Sequence, residues 1–245
     1  MQLLYNREMQ KVVEGILVHI EELGKGKNNL VVFPGWKGTI GEWIPVAEKL
    51  ADKYKIHLVE LPGFGESGMP LKNWGIFEYG EFAGKVLDKL GIKKAVIMGH
   101  SFGGRVGILL AARTNLVGKL VLIDGAGMEI KDIKTQVQKL LNPLVKFFPE
   151  MIKKQFRSSD WETAGELKEI LARVVNEPLR DELIKINVPT VIVWGDRDKI
   201  LSLKEAKMLR DGISNSVLRI VWGAGHWPHL EKFEQFMRIL KEEDV

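Results

Sequence analysis

Gly99-His100-Ser101-Phe102-Gly103 narrows what this chain can fold into more than any other stretch, because of what stands on either side of it. Ahead of it, Lys94-Ala95-Val96-Ile97-Met98 predicts a short buried strand, and behind it Gly104 to Arg113 predicts a helix. A G-x-S-x-G sequence means little alone. Between a strand and a helix it describes a serine at the apex of a strained turn. Glycines two residues to each side are required there, because a Cβ would collide with the neighbouring strand or helix. Such a turn lifts the serine Oγ above the sheet edge and aims the first helical N–H groups at whatever the serine attacks. The competing reading, an ordinary helix N-cap serine, leaves the flanking glycines unexplained. Ser101 is therefore read as a nucleophile.

A serine hydroxyl is a poor nucleophile at neutral pH, so it needs a base and the base needs a group to orient it. Pro189-Thr190-Val191-Ile192-Val193-Trp194 predicts a second buried strand, ending in Gly195-Asp196-Arg197-Asp198. Val217 to Trp222 predicts a third, ending in Gly223-Ala224-Gly225-His226-Trp227-Pro228. Each carries a candidate group just beyond its carboxyl end, where open parallel sheets place their sites. Ser101, Asp198 and His226 thus follow in the order nucleophile, acid, base. Asp198 has two rivals: Asp196, two residues earlier, and Asp124, which ends the predicted strand Lys119 to Ile123. His229 competes with His226, whose Gly-His-x-Pro context favours it. His100 is read as structural, and His19 and His57, in strand-like runs, as carrying no chemistry.

Together these segments resemble the α/β-hydrolase-fold serine hydrolases, in the capped branch that holds carboxylesterases and C–C hydrolases. The resemblance covers nearly the whole chain and rests on Phe33-Pro34-Gly35-Trp36, Leu61 to Ser67, Gly99 to Gly104, Gly195 to Asp198 and Gly225 to Pro228. It implies a mostly parallel central sheet flanked by helices, and it favours Asp198, the second aspartate of its turn, as the acid. It also implies that the backbone N–H groups of Trp36 and Phe102 form an oxyanion hole. Pro34 stands where such proteins usually have histidine, which removes one backbone donor but leaves the Trp36 N–H in place.

The remaining pattern fits one α/β domain with an insertion. Strands are predicted over Val12 to Glu22, Leu30 to Phe33 and Lys55 to Glu60, and helices over Ile40 to Ala51 and Phe77 to Leu90. From about Met128 to Ile186 strand signals stop, and helical runs are broken at Pro143, Pro149 and Pro178. Residues 1–127 and 187–245 are thus the two parts of the core, and 128–186 a helical cap. An apolar stripe through Leu141, Leu144 and Phe148 is either a pocket roof or the face that docks on the core.

Several classes are excluded. Gly63-Phe64-Gly65-Glu66-Ser67-Gly68 fits G-x-G-x-x-G, but Pro70 follows where a dinucleotide fingerprint must open a helix. The chain has no cysteine, so thiolate sites and disulfides are out, and no metal motif is found. A net charge of +4 spread over 245 residues, without basic runs and interleaved aromatics, argues against nucleic acid. Without an apolar leader or a membrane-length apolar run, a cytoplasmic location and no stable membrane insertion are expected. The expected function is hydrolysis of small to medium, largely apolar carboxylic esters without a cofactor or metal. C–C bond hydrolysis is the alternative and a non-catalytic ligand-binding scaffold the third. A homodimer is left open.

Overall fold

The computed structural model describes residues 7–70, 74–128 and 165–245. The chain opens with a hairpin of β1 (Arg7–Val13) and β2 (Ile16–Leu23), where the alternation predicts one strand from Val12 to Glu22. Glu14 and Gly15 both adopt positive φ, 48° and 80°, and make the two-residue turn that right-twisted strands favour. Next come β3 (Asn28–Phe33), a 3-10 turn over Ile40–Trp43, α1 (Ile44–Leu50) and β4 (Tyr54–Val59). The predicted helix at 40–51 is split because Pro45 is tolerated only in a first helical turn. Then follow α2 (Ile76–Lys89), β5 (Ala95–His100), α3 (Phe102–Arg113) and β6 (Val117–Ile123). Beyond residue 164 come α4 (Lys168–Asn176), α5 (Arg180–Leu183), β7 (Thr190–Gly195), α6 (Leu203–Gly212), β8 (Ser216–Val221), α7 (Pro228–Glu231) and α8 (Phe233–Glu242).

The eight strands form one sheet in the order β1-β2-β4-β3-β5-β6-β7-β8. Only β2 runs antiparallel to its neighbours; from β4 through β8 every pairing is parallel. Both faces are buried, so the central strands read as apolar runs whose side chains alternate between two cores. Val31, Phe33, Leu120, Leu122, Ile192 and Trp194 pack with α2 and α3 on one face. Leu30, Val32, Val121, Ile123, Val191 and Val193 pack with α1 and α8 on the other. This is the mostly parallel, helix-flanked sheet the sequence predicts, and its parallel strands all end on the rim that carries the site.

Most of the predicted cap, 129–164 and with it the stripe through Leu141, Leu144 and Phe148, lies outside the described residues. The part that is described, 165–186, holds a 3-10 turn, α4 and α5. Both helices are fastened to α3. The buried Arg105 guanidinium donates to the carbonyls of Val174, at 2.7 Å, and Glu177. Arg113 makes a forked pair with Glu182 at 3.0 and 2.8 Å. Among the described residues, no helix is long and apolar enough to cross a membrane.

Candidate active site

Ser101 occupies the turn between β5 and α3 with φ 48° and ψ −110°, a conformation costing a non-glycine residue about 1–3 kcal/mol. Three backbone hydrogen bonds hold it there. The Ser101 N–H donates to Ile123 O at 3.0 Å, and its carbonyl accepts from Gly104 at 3.0 Å and Ala126 at 3.1 Å. The flanking glycines are steric necessities: a Cβ on Gly99 would lie 2.3 Å from the Gly103 carbonyl oxygen, and one on Gly103 2.0 Å from that of Phe33. Local packing therefore dictates the glycines, and the glycines permit the turn.

The loop after β8 brings His226 to the same rim. Its Nδ1 lies 2.7 Å from Asp198 Oδ2, while Asp198 Oδ1 accepts from the N–H groups of Ile200, at 2.7 Å, and Leu201, at 3.0 Å. Burial acts to raise the Asp198 pKa, but the His226 bond and charge and the two N–H donors outweigh it and hold the carboxylate below its ordinary value. With Nδ1 bonded to the carboxylate, Nε2 is left to act as a base.

Neither rival acid is hydrogen-bonded to His226. Asp196 accepts from the Gly223 N–H and ties the turn after β7 to the turn after β8. Asp124, fully buried at the end of β6, accepts from the Gly195 N–H at 3.1 Å through Oδ1. Side-chain atoms of Asp124, Asp198 and His226 lie within 4.8 Å of one another, and the Asp124 carboxyl faces that of Asp198. Burial first, and the adjacent Asp198 second, push the Asp124 pKa up to about 10. Asp124 is thus a neutral acid beside the ionised Asp198, and Asp198 alone of the three bonds His226.

Three groups that sequence reasoning left aside help to build the site. Burial pushes the His100 pKa down to about 3, with the charge of His226 adding to it, and its Nε2–H donates to the His226 carbonyl at 2.7 Å. His100 thereby holds the backbone of the loop that presents His226. His229, the competitor on sequence, is fully buried and stacks on Trp43 with ring centroids 4.0 Å apart. Glu42, on the 3-10 turn after β3, puts a half-buried carboxyl into the wall, and burial raises its pKa. No periodicity marks Glu42; only the path of that turn brings it to the cavity.

The resulting cavity is lined by Gly35, Trp36, Gly38, Glu42, His100, Ser101, Ile200, His226 and Trp227. Trp36 is part of that lining. Phe102 is the first residue of α3, so its N–H has no acceptor within the helix. The two rings meet edge to face at 5.5 Å, and Phe64 packs edge-on against both, at 5.0 and 5.4 Å. This aromatic cluster sets the loop after β3 against the start of α3.

Residues 28–160 match the family model described as the alpha/beta hydrolase fold, which spans more than half of the chain. The chain belongs to the α/β-hydrolase-fold family. A 2-hydroxy-6-oxononadienedioate/2-hydroxy-6-oxononatrienedioate hydrolase from a Pseudomonas species is 26% identical over 255 residues, covering 90% of each chain. Among solved structures, a putative lipase from Acinetobacter baumannii superposes with a TM-score of 0.75 at 24% identity, covering 97% of this chain and 91% of that one. A meta-cleavage product hydrolase from Pseudomonas fluorescens gives 0.76 at 19%, covering 96% of each. This member of the family is a hydrolase.

Proposed function

We propose that this hydrolase works through Ser101, His226 and Asp198. Ser101 Oγ attacks a carbonyl carbon, His226 Nε2 takes the hydroxyl proton, and Asp198 holds the ring in the required tautomer. The carbonyl π electrons move onto oxygen, where the Trp36 and Phe102 N–H groups receive the charge. One such donor is typically worth about 10²–10³ in rate. Collapse expels the leaving group with the proton from His226, and water then releases the acyl group from Ser101 by the reverse sequence. The observation that carries this reading is the strained Ser101 turn opening into the same cavity as His226, whose Nδ1 is bonded to Asp198 at 2.7 Å.

For the substrate, the leading reading is an uncharged carboxylic ester with a small to medium, largely apolar acyl group. It is supported by a wall of Trp36, Ile200 and Trp227 and by the Glu42 carboxyl, with no lysine or arginine among the described lining residues. The second reading is C–C bond hydrolysis, and the names of relatives favour it over the ester reading. A dioate carries two carboxylates, which the Glu42 side of the cavity opposes when ionised. Residues 128–186 enter either reading as a cap that selects substrates without supplying Ser101, Asp198 or His226. Rates on p-nitrophenyl esters of increasing chain length, set against 2-hydroxy-6-oxononadienedioate, separate the two. The ester reading expects kcat/KM to be higher on an ester. A dienedioate turned over faster than every ester would replace it with the second reading.

A further inference from the structure

On the antiparallel side of the sheet, His19 on β2 is buried, and its Nδ1 lies 2.9 Å from Glu60 Oε2. That oxygen also accepts from the Glu66 N–H at 2.7 Å, so Glu60 is the acceptor and the ring proton belongs on Nδ1. The Nε2 lone pair then points the other way. It has no hydrogen-bond partner among the described residues, and Glu8 Oε1 lies 3.7 Å from it. The Glu66 carboxylate completes the group: one atom each from Glu8, His19 and Glu66 lie within 4.8 Å of one another. With a neutral ring, these three groups offer lone pairs close together and no proton, an arrangement that suits a cation.

We propose that Glu8, His19 and Glu66 bind one zinc ion, with His19 coordinating through Nε2. A ligand histidine usually gives its other N–H to a carboxylate, and Glu60 already occupies that place. One imidazole with two carboxylates suits zinc or a similar borderline metal better than calcium or magnesium, which take oxygen ligands. Zinc–ligand bonds of about 2.0–2.2 Å put two tetrahedral ligands about 3.3 Å apart. Both glutamates are exposed, so a change of rotamer closes the remaining gap. The frame is otherwise set: Ser67 Oγ accepts from the His19 N–H at 2.9 Å and donates to the Glu60 carbonyl at 2.7 Å. No motif signals this site, because its ligands come from β1, β2 and the loop after β4. This proposal departs from the expectation that His19 carries no chemistry. Bound zinc ties that hairpin to the loop carrying Phe64, which packs against Trp36 and Phe102.

The test is titration of the full, untagged chain with zinc chloride by calorimetry, with cobalt(II) absorption as the readout of coordination. One ion per chain is expected, with cobalt d–d bands and a Tm that rises on adding zinc. Glu8→Gln and Glu66→Gln, both at exposed positions, should each weaken binding about tenfold or more, and His19→Gln should remove the cobalt bands. Absence of binding overturns the proposal. So does binding that is unchanged in the Glu8→Gln/Glu66→Gln double variant, since the ion would then be held elsewhere, such as at His226 and Asp198.

Discussion

His226 and His19 are held in the same way and face opposite company. Each ring is buried, with Nδ1 against a carboxylate, Asp198 at 2.7 Å in one case and Glu60 at 2.9 Å in the other. Each is thereby left with Nε2 as the nitrogen that can act. His226 stands at the rim where the parallel strands end, and its cavity is shared with Ser101, whose hydroxyl has a proton to give. His19 stands on the antiparallel flank opposite Glu8 and Glu66, which have only lone pairs to give. A carboxylate–histidine pair therefore fixes a tautomer and no more. In the roles proposed for the two rings, the group facing Nε2 distinguishes a base from a metal ligand.

Changing the carboxylate in each pair tests this contrast. The largest effect belongs to Asp198→Asn, which leaves the His226 ring in the wrong tautomer and should lower kcat by about 10⁴ with the circular dichroism spectrum unchanged. Asp124→Asn exchanges one neutral hydrogen-bonding group for another and should keep kcat within about tenfold. If Asp124→Asn is crippling and Asp198→Asn nearly silent, the acid belongs to β6 and the pairing described here is wrong. Glu60→Gln, the matching change behind His19, should weaken zinc about 10- to 100-fold in the same calorimetric titration. Unchanged affinity would mean that Glu60 does not orient the ligand.

A further test concerns stability. Folded Asp124 keeps its proton up to about pH 10, whereas its ordinary pKa is 3.8, so between these values the unfolded chain binds fewer protons than the native one. Stability from this residue is complete below its ordinary pKa and falls as pH rises through that window. Asp124→Asn has no such dependence. Plotted against pH, the Tm difference between variant and parent should move steadily in favour of asparagine. A difference independent of pH would show that Asp124 is ionised in the native protein.

The elbow is legible in sequence because its requirements are local: Gly99 and Gly103 each face backbone within a few residues or on the adjacent strand. The acid is not. Asp124, Asp196 and Asp198 all lie at the carboxyl ends of neighbouring strands, and only three-dimensional placement tells which of them reaches Nδ1 of His226. The β1–β2 hairpin is hidden by its own alternation, since Glu14 is not a residue that advertises a positive-φ turn. The hydrogen-bond partners of His100 and His19 are hidden for a different reason. Those partners, the His226 carbonyl and the Glu60 carboxylate, lie far along the chain, and spacing carries no information about such pairs.

Covalent labelling of Ser101 is the most direct test of the central claim, that His226 and Asp198 make this serine a nucleophile. The protein is treated with an active-site fluorophosphonate at neutral pH and followed by intact-mass and peptide mass spectrometry. One phosphonyl group should appear on Ser101, with none in Ser101→Ala and much slower addition in Asp198→Asn. Labelling that persists in Ser101→Ala, or that proceeds at the parent rate in Asp198→Asn, would contradict the account.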